Sequence, residues 1–425
     1  MQISGVQQSA NTGRMLAILL IAYIFNFIDR QIIGILAGPI QEELKLSDGQ
    51  LGLMGGLAFA LFYTGLGIPI AWLADRKSRV NIVAFSVALW SIFTALCGAA
   101  QNFWQLFLAR MGVGVGEAGG VAPSYSLIAD LFPPERRARA LAIFSFGIPI
   151  GSALGIFFGG WIASATDWRV AFLVVGLAGL PVALLLKLGV PEPVRGGFDR
   201  AAGTAPEPAP PFGLVMATLA RKPSFWLLSF GAASGSILGY GLIFWLPSFF
   251  QRSFELSLTE RSLFYGSIVL IGGVAGTWFG GWIGDRIGRG NPAGYALVPA
   301  ICFLIAAPFY AAALFAPSLA VGFVLFLIPQ ALGLAWLGPV IAAVQHIVPP
   351  AMRATASAAF LFINNLIGIG FGTWFVGEMS EGMKPLYGNE SLRYSILFTL
   401  GFYLISSALY FFASRRLDRD WHREA

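Results

Sequence analysis

The chain has 425 residues, 57% of them apolar and 14% aromatic, with only 11% charged, a mean hydropathy of +0.74 and a net charge of +6. Soluble domains carry about 25% charged residues, so this balance excludes an ordinary water-soluble enzyme or binding module and points to an integral membrane protein. The two cysteines, Cys97 and Cys302, sit alone in separate apolar stretches as small fillers, with no metal spacing and no disulfide framework.

The pattern predicts twelve spans, each able to cross about 30 Å of hydrocarbon at 1.5 Å per residue. The first, 15–37, contains "AYIFNFIDRQIIGILAG", with Asp29 and Arg30 side by side in an apolar helix. It is too long for a signal-peptide core and is charged near its end. Each intramembrane charge costs roughly 2.5–3.5 kcal/mol on insertion scales, so the pair needs a function or a partner. The second span, 51–73, runs into the loop "GIPIAWLADRKSR", carrying Asp75, Arg76 and Arg79. The third covers 80–99. The fourth, 104–127, holds Arg110 and Glu117 in "ARMGVGVGEAGGVAPSYS", with five glycines between 112 and 120. Glycines there let helices approach closely or leave room for a ligand.

Arg110 and Glu117 share a helix face about 10.5 Å apart along the axis. Because Cα–Cβ bonds tilt toward a helix's N-terminus, Arg30 and Glu117, on oppositely directed helices, lean toward each other. By the same count Arg110 lies level with Asp29. The four charges cancel, which lowers their burial cost without making them stabilising.

A basic loop, "LFPPERRARA", includes Arg139 and leads to the fifth span, 139–163, with "FGIPIGSALGIFFGG"; the sixth covers 168–188. Residues 189–222 are Pro/Gly-rich and basic and read as a cytoplasmic linker, with a short surface helix predicted at 212–219. The seventh span, 223–250, offers Tyr240, Phe244 and Trp245. The eighth, 260–283, is followed by "GWIGDRIGR" with Asp285 and Arg286. The ninth is 297–316. The tenth, 319–344, carries Gln330 and Trp336. The eleventh, 353–378, begins at Arg353 and carries Asn364 and Asn365; the twelfth, 393–413, precedes a basic tail. The expected division is a six-helix half over 1–188, the linker, a second half over 223–414 and a cytoplasmic tail over 415–425.

With the N-terminus placed in the cytoplasm, 19 of the 27 Lys and Arg residues fall on the inner side, as the positive-inside rule requires. The expected location is a bacterial inner membrane with both termini cytoplasmic. The net charge is then a topology signal rather than a nucleic-acid footprint.

The halves read as copies. Trp72 and Asp75 recur as Trp282 and Asp285 at an offset of 210, and Pro133/Pro134 and Arg137 recur as Pro349/Pro350 and Arg353 at an offset of 216. An all-α fold of two six-helix pseudo-repeats joined by a linker suits a rocking transporter, with a substrate site expected between the halves near the midplane. The four buried charges have no counterparts in the second half. They read either as a static salt-bridge knot or as a proton site, and the second reading is preferred for intramembrane ionisable groups. The aromatic residues of the second half, with Gln330, Asn364 and Asn365, are candidate cavity residues, although packing or lipid contact explains any single aromatic.

"GIPIAWLADRKSR" and "GGWIGDRIGR" resemble the signature loop of the major facilitator superfamily; the first copy has Ala71 and Ser78 where the second keeps Gly281 and Gly288. The resemblance implies a gate in which Asp75 meets the helix that starts near Arg353, and Asp285 the helix that starts near Arg139, with Arg76, Arg79 and Arg286 beside them. "FNFIDRQ", "ARMGVGVGEA", "RARALAIFSFGIPIGSALG" and "VPEPVRGG" are similar to the Spinster family of lipid transporters. That resemblance implies transport of a lysophospholipid or sphingoid phosphate and assigns transport and proton coupling to Asp29, Arg30, Arg110 and Glu117, with no cofactor and a monomeric chain. A facilitator-type exporter of small organic anions or drugs is the alternative. A membrane enzyme is disfavoured because His346 and His422 match no catalytic motif, and a receptor or channel because duplicated loops suit alternating access.

Overall fold

The computed structural model describes residues 2–195, 210–288, 291–349 and 352–422; the middle of the expected linker, 196–209, lies outside them. In hydrocarbon every backbone N–H and C=O must be satisfied within its own segment, which favours helix. Among the described residues all regular structure is helical. The first half comprises α1 (Gln2–Ile35), α2 (Ala37–Leu44), α3 (Asp48–Gly55), α4 (Leu57–Ala74), α5 (Arg79–Cys97), α6 (Phe103–Glu117), α7 (Val121–Leu131), α8 (Pro134–Ser145), α9 (Gly147–Ala165) and α10 (Trp168–Gly189). The expected linker helix is α11 (Phe212–Ala220), with Val215 and Leu219 buried. The second half comprises α12 (Pro223–Phe254), α13 (Leu258–Gly288), α14 (Gly294–Leu314), α15 (Leu319–Leu332), α16 (Leu337–His346), α17 (Arg353–Tyr387), α18 (Ser391–Thr399) and α19 (Gly401–Asp420).

Among the described residues, ten helical stretches are long and apolar enough to cross a membrane. One of them, Thr355–Asp420, contains both α17 and the α18–α19 return. The fourth expected span escapes that count because it is broken: α6 has 15 residues and α7 has 11, each short of the roughly 20 needed to cross alone. Twelve crossings result, at positions close to those the apolar pattern predicts.

Helix starts are set by local chemistry. Ser47 and Gln50 form a reciprocal capping box at α3, and Ser78, Asn102, Asp167 and Ser318 each accept from a first-turn N–H. Each cap satisfies a donor that the helix leaves open, worth about 1 kcal/mol. Pro134 and Pro223 stand at the starts of α8 and α12, where a missing N–H costs nothing.

The chain forms two compact units. Unit 1 holds residues 1–46, 58–205 and 257–266, and unit 2 holds 47–57, 206–256 and 267–425. In unit 1, α5 packs on α10 and α6, and α1 on α9; in unit 2, α12 packs on α17 and α19, and α3 on α17. The two exchanged segments are themselves repeat equivalents: the 210-residue offset carries 47–57 onto 257–267.

Candidate functional site

Glu117 is the last residue of α6, immediately before the turn Ala118–Gly120. A helix C-terminus carries about half a negative charge, so a carboxylate there demands a cation. Arg30 of α1 supplies it, with Nε donating to Glu117 Oε2 at 2.6 Å; Glu117 is fully buried. The Arg30 guanidinium also lies 4.5 Å from the centre of the Tyr63 ring, 4.9 Å from Phe59 and 5.1 Å from Phe27. Desolvated cation–aromatic contacts of this kind contribute about 2 kcal/mol. The two residues that the tilt of their Cβ bonds aims at one another are thus paired.

Asp29 and Arg110 are each 1% exposed and lie within electrostatic reach of one another and of Glu117, with Thr94 and Trp90 of α5 beside Asp29. Their contact is looser. Asp29 Oδ1, Arg110 Nε, Arg110 Nη1 and Glu117 Oε1 have no hydrogen-bond partner in the protein. Arg110 lies 5.7 Å from the centre of the Phe59 ring. Two carboxylates and two guanidiniums therefore share one apolar compartment of unit 1 with one tight ion pair and spare donors and acceptors. Such a set has a carboxylate that can take up a proton and guanidinium donors that can meet an anionic head group.

The glycines of α6 are there for close packing. A Cβ on Gly114 would stand 2.5 Å from the Phe59 carbonyl oxygen, and one on Gly116 2.5 Å from the Trp90 backbone nitrogen. Backbone fills the space at these two, and the Phe93 ring fills it at Gly112.

In the loop after α4, Asp75 is exposed, and Arg76 is exposed with its guanidinium over the Trp72 ring at 3.9 Å. Arg79 is different: it is 1% exposed and forms ion pairs with Asp130 and Glu192, with further bonds to Ser126 Oγ at 2.9 Å and the Pro193 carbonyl at 3.1 Å. Arg195 closes the same corner on the carbonyls of Ala74 and Lys77. Partial burial opposes the charged form of Glu192, but the Val80 N–H, the Arg79 guanidinium and the Ser78 hydroxyl outweigh it and hold the carboxyl below the usual range. Asp130, Glu192 and Arg195 were not legible as a set: the last two stand in "VPEPVRGG", whose sequence gives no reason to fold back onto the α4–α5 loop. Arg139 is exposed, Arg286 is exposed near the Trp282 ring, and Arg353 donates to the Gln345 carbonyl. The Asp285 side chain lies outside the described residues.

In unit 2, Trp245 is fully buried and donates to the Thr373 carbonyl at 2.7 Å, with Phe244 edge-on against it. Asn364 is 3% exposed; its Oδ1 accepts from Ser236 at 2.8 Å and its Nδ2 donates to Asn365 at 3.1 Å. Gln330 accepts from Tyr310, and Trp336 packs against Phe360. Tyr240 and Asn365 remain half-buried.

A second charged cluster of unit 2 was missed. Asp48, fully buried at the start of α3, receives both Arg252 terminal nitrogens at 2.7 and 2.8 Å and the Ser380 hydroxyl at 2.8 Å, with Lys384 at 3.6 Å. Its own N–H donates to Glu381. At the edge of an apolar segment Asp48 reads as an exterior loop residue, and only the capping box in "LSDGQ" hints that it opens a helix.

Residues 19–373 match the family described as Major Facilitator Superfamily. The chain is 31% identical to Protein spinster homolog 1 of Mus musculus over 425 residues, covering 93% of this chain and 79% of that protein. A solved bacterial homolog to the human lysosomal transporter Spinster, in an inward-facing and unoccupied conformation, superposes with a TM-score of 0.88 at 34% identity, covering 98% of this chain and 99% of that one. The chain belongs to the major facilitator superfamily and is of the Spinster type. This Spinster-type chain is also 33% identical to an MFS-type efflux pump of Mycolicibacterium smegmatis over 401 residues, 94% of this chain and 92% of that one. It is therefore a membrane transporter and not an enzyme, an integral membrane protein acting on a small-molecule substrate in a lipid bilayer.

Proposed function

We propose that the protein is a proton-coupled transporter of an amphipathic lipid, such as a lysophospholipid or sphingoid phosphate, working by alternating access. The observation that carries the proposal is the quartet of half-buried Arg30 with buried Asp29, Arg110 and Glu117, which holds one tight ion pair and open polar atoms on Asp29, Arg110 and Glu117. Burial disfavours the charged form of a carboxylate, while an adjacent guanidinium favours it. Protonation of Glu117 would release Arg30 from its 2.6 Å pair and free it, with the open donors of Arg110, for a phosphate. Loss of the head group would restore the pair and expel the proton. One proton crossing 100 mV carries about 2.3 kcal/mol, enough for roughly a 50-fold gradient of cargo.

Tyr240, Gln330, Trp336, Asn364 and Asn365 are proposed to meet the rest of the substrate, Tyr240 and Asn365 first because they keep partial exposure; Phe244 and Trp245 serve them as a packed backing. Asp75, Arg76, Arg79, Arg139, Asp285, Arg286 and Arg353 are proposed as gating residues. The test is uptake of lysophosphatidylcholine and of sphingosine 1-phosphate by proteoliposomes, with and without a pH gradient. Wild type should be accelerated by the gradient and Glu117→Gln should not. Full gradient-driven uptake by Glu117→Gln would discard the proposal. The likeness to an efflux pump favours one second reading, export of small organic anions or drugs; competition by such compounds, with none by lysolipids, would select it.

A further inference from the structure

In unit 2, the helix α11 is apolar all round. It packs on α12 and α17, with Val215 and Leu219, four apart, as its fully buried residues. Leu214, Ala217 and Arg221, spaced by three and four, share the opposite face, and all three are exposed. Phe212 stands on the flank, 65% exposed, and Leu214 is 52% exposed. The one polar side chain of the helix, Thr218, turns its hydroxyl onto the Leu214 carbonyl at 2.9 Å. A helix that meets water carries polar residues on its outer face, and one without them is covered by something apolar.

The charges at the end of α11 point to the cover. Lys222, next to Arg221, donates to the Asp420 carbonyl at 2.7 Å, and the Asp420 carboxylate accepts from the Ser224 N–H at 3.0 Å and hydroxyl at 2.6 Å. This contact brings the end of α19 to the end of α11. Arg415, Arg416 and Arg419 are exposed there, with Asp418 as the exposed carboxylate among them. Arg415 lies over the exposed Phe411 ring at 4.5 Å, so the apolar outer surface of α19 ends in cations, as a membrane-facing surface does. Apolar side chains beside exposed arginines suit a bilayer with anionic head groups. The alternatives fit less well. Residues 196–209 offer Phe198 as their one aromatic and no Leu, Ile, Val or Met. A second copy docked through the same face would set arginine against arginine.

We propose that α11 is an interfacial anchor whose exposed face lies in the bilayer leaflet at the start of α12, with Arg221 and the arginines of α19 holding an anionic phospholipid head group. Phe212 and Leu214 reach into the acyl boundary, and Arg221, one helix turn beyond Ala217 on the same face, meets the phosphate. The anchor fixes the start of α12 to the membrane surface through the two residues that separate it from α11, Arg221 and Lys222.

Spin labelling of the full chain in nanodiscs of phosphatidylcholine and phosphatidylglycerol tests the anchor. Cys97 and Cys302 are buried, so the label goes to Phe212→Cys or Leu214→Cys, and to Glu255→Cys, in the exposed turn after α12, as the control. The labels at 212 and 214 should meet oxygen more often than a nickel chelate, and the control the reverse. In native mass spectrometry the protein should retain phosphatidylglycerol over phosphatidylcholine. Arg221→Gln should lower that preference about fivefold and Arg221→Lys should keep it. Millimolar inorganic phosphate should not displace the lipid. Nickel-favoured contact at 212 and 214 overturns the anchor. Labels shielded from both reagents overturn the bilayer as the cover; dipolar broadening then marks a second copy, and its absence the chain's own linker. Wild-type retention of phosphatidylglycerol by Arg221→Gln, or displacement by inorganic phosphate, overturns the head-group site. None of these readouts depends on cargo or on proton coupling.

Discussion

Asp48→Asn is the most direct probe of how α3 is held in unit 2. Arg252 donates to both oxygens of Asp48, and Ser380 adds a bond to one of them. An asparagine keeps the shape but presents an NH₂ to one Arg252 nitrogen, setting donor against donor and leaving a guanidinium only 17% exposed without its counter-charge. Breaking one partner of a buried pair costs about 3–5 kcal/mol; the retained amide oxygen places this change at the lower end, about 3 kcal/mol. With an unfolding entropy of about 2.1 cal/mol/K per residue, a chain of this length should lose about 3 °C in Tm. Tryptophan fluorescence melts of the purified protein would read it. Arg252→Gln should cost a similar amount, and the double variant should cost less than the sum by about 1–3 kcal/mol, because the second change removes a group already stranded. A melt within about 1 °C of wild type for Asp48→Asn, or strict additivity in the double variant, would refute the reasoning.

Two further outcomes follow from local geometry. Glu192 titrates below an ordinary glutamate when folded, so its contribution is present above about pH 4.3 and is lost as pH falls through its lower folded value. Thermal melts from pH 7 down to about 3.5 should therefore show Glu192→Gln less stable than wild type at neutral pH, with the gap closing in acid; a gap that widens in acid would reverse the sign. Gly116→Ala would place a Cβ 2.5 Å from the Trp90 backbone nitrogen and should cost about 1–3 kcal/mol by overpacking, whereas Gly65→Ala, with nothing within 4 Å, should be neutral or stabilise by up to about 1 kcal/mol.

How much of this was legible in the sequence depended on the range of the signal. Span number follows from apolar length, and the meeting of Arg30 with Glu117 follows from helix direction and Cβ tilt, both local rules carried across one contact. The short helix after the linker was legible for the same reason. Asp48 and Glu192 were not. Asp48 finds Arg252 some 204 residues away and Glu192 reaches Arg79 at 113, and nothing in the spacing of either residue records that separation.

The duplication gives a last argument about the quartet. The 216-residue offset carries Glu117 to Gly333 and the Ala118–Gly120 break to Leu334–Trp336, the gap between α15 and α16. Both repeats therefore interrupt the corresponding helix, so the break does not need the charge. The 210-residue offset carries Arg30 to Tyr240, so carboxylate and guanidinium are both missing from the second copy. That joint absence is what a coupled pair requires, since either group alone would be stranded in an apolar compartment at a cost of about 3–5 kcal/mol. Glu117→Gly should then destabilise the protein strongly, and adding Arg30→Tyr should recover part of the loss in a thermal melt, while gradient-driven uptake stays absent in both. A double variant as unstable as the two single changes summed would mean that the pair is not a unit, and that Arg30 is held by its aromatic cradle of Phe27, Phe59 and Tyr63 instead.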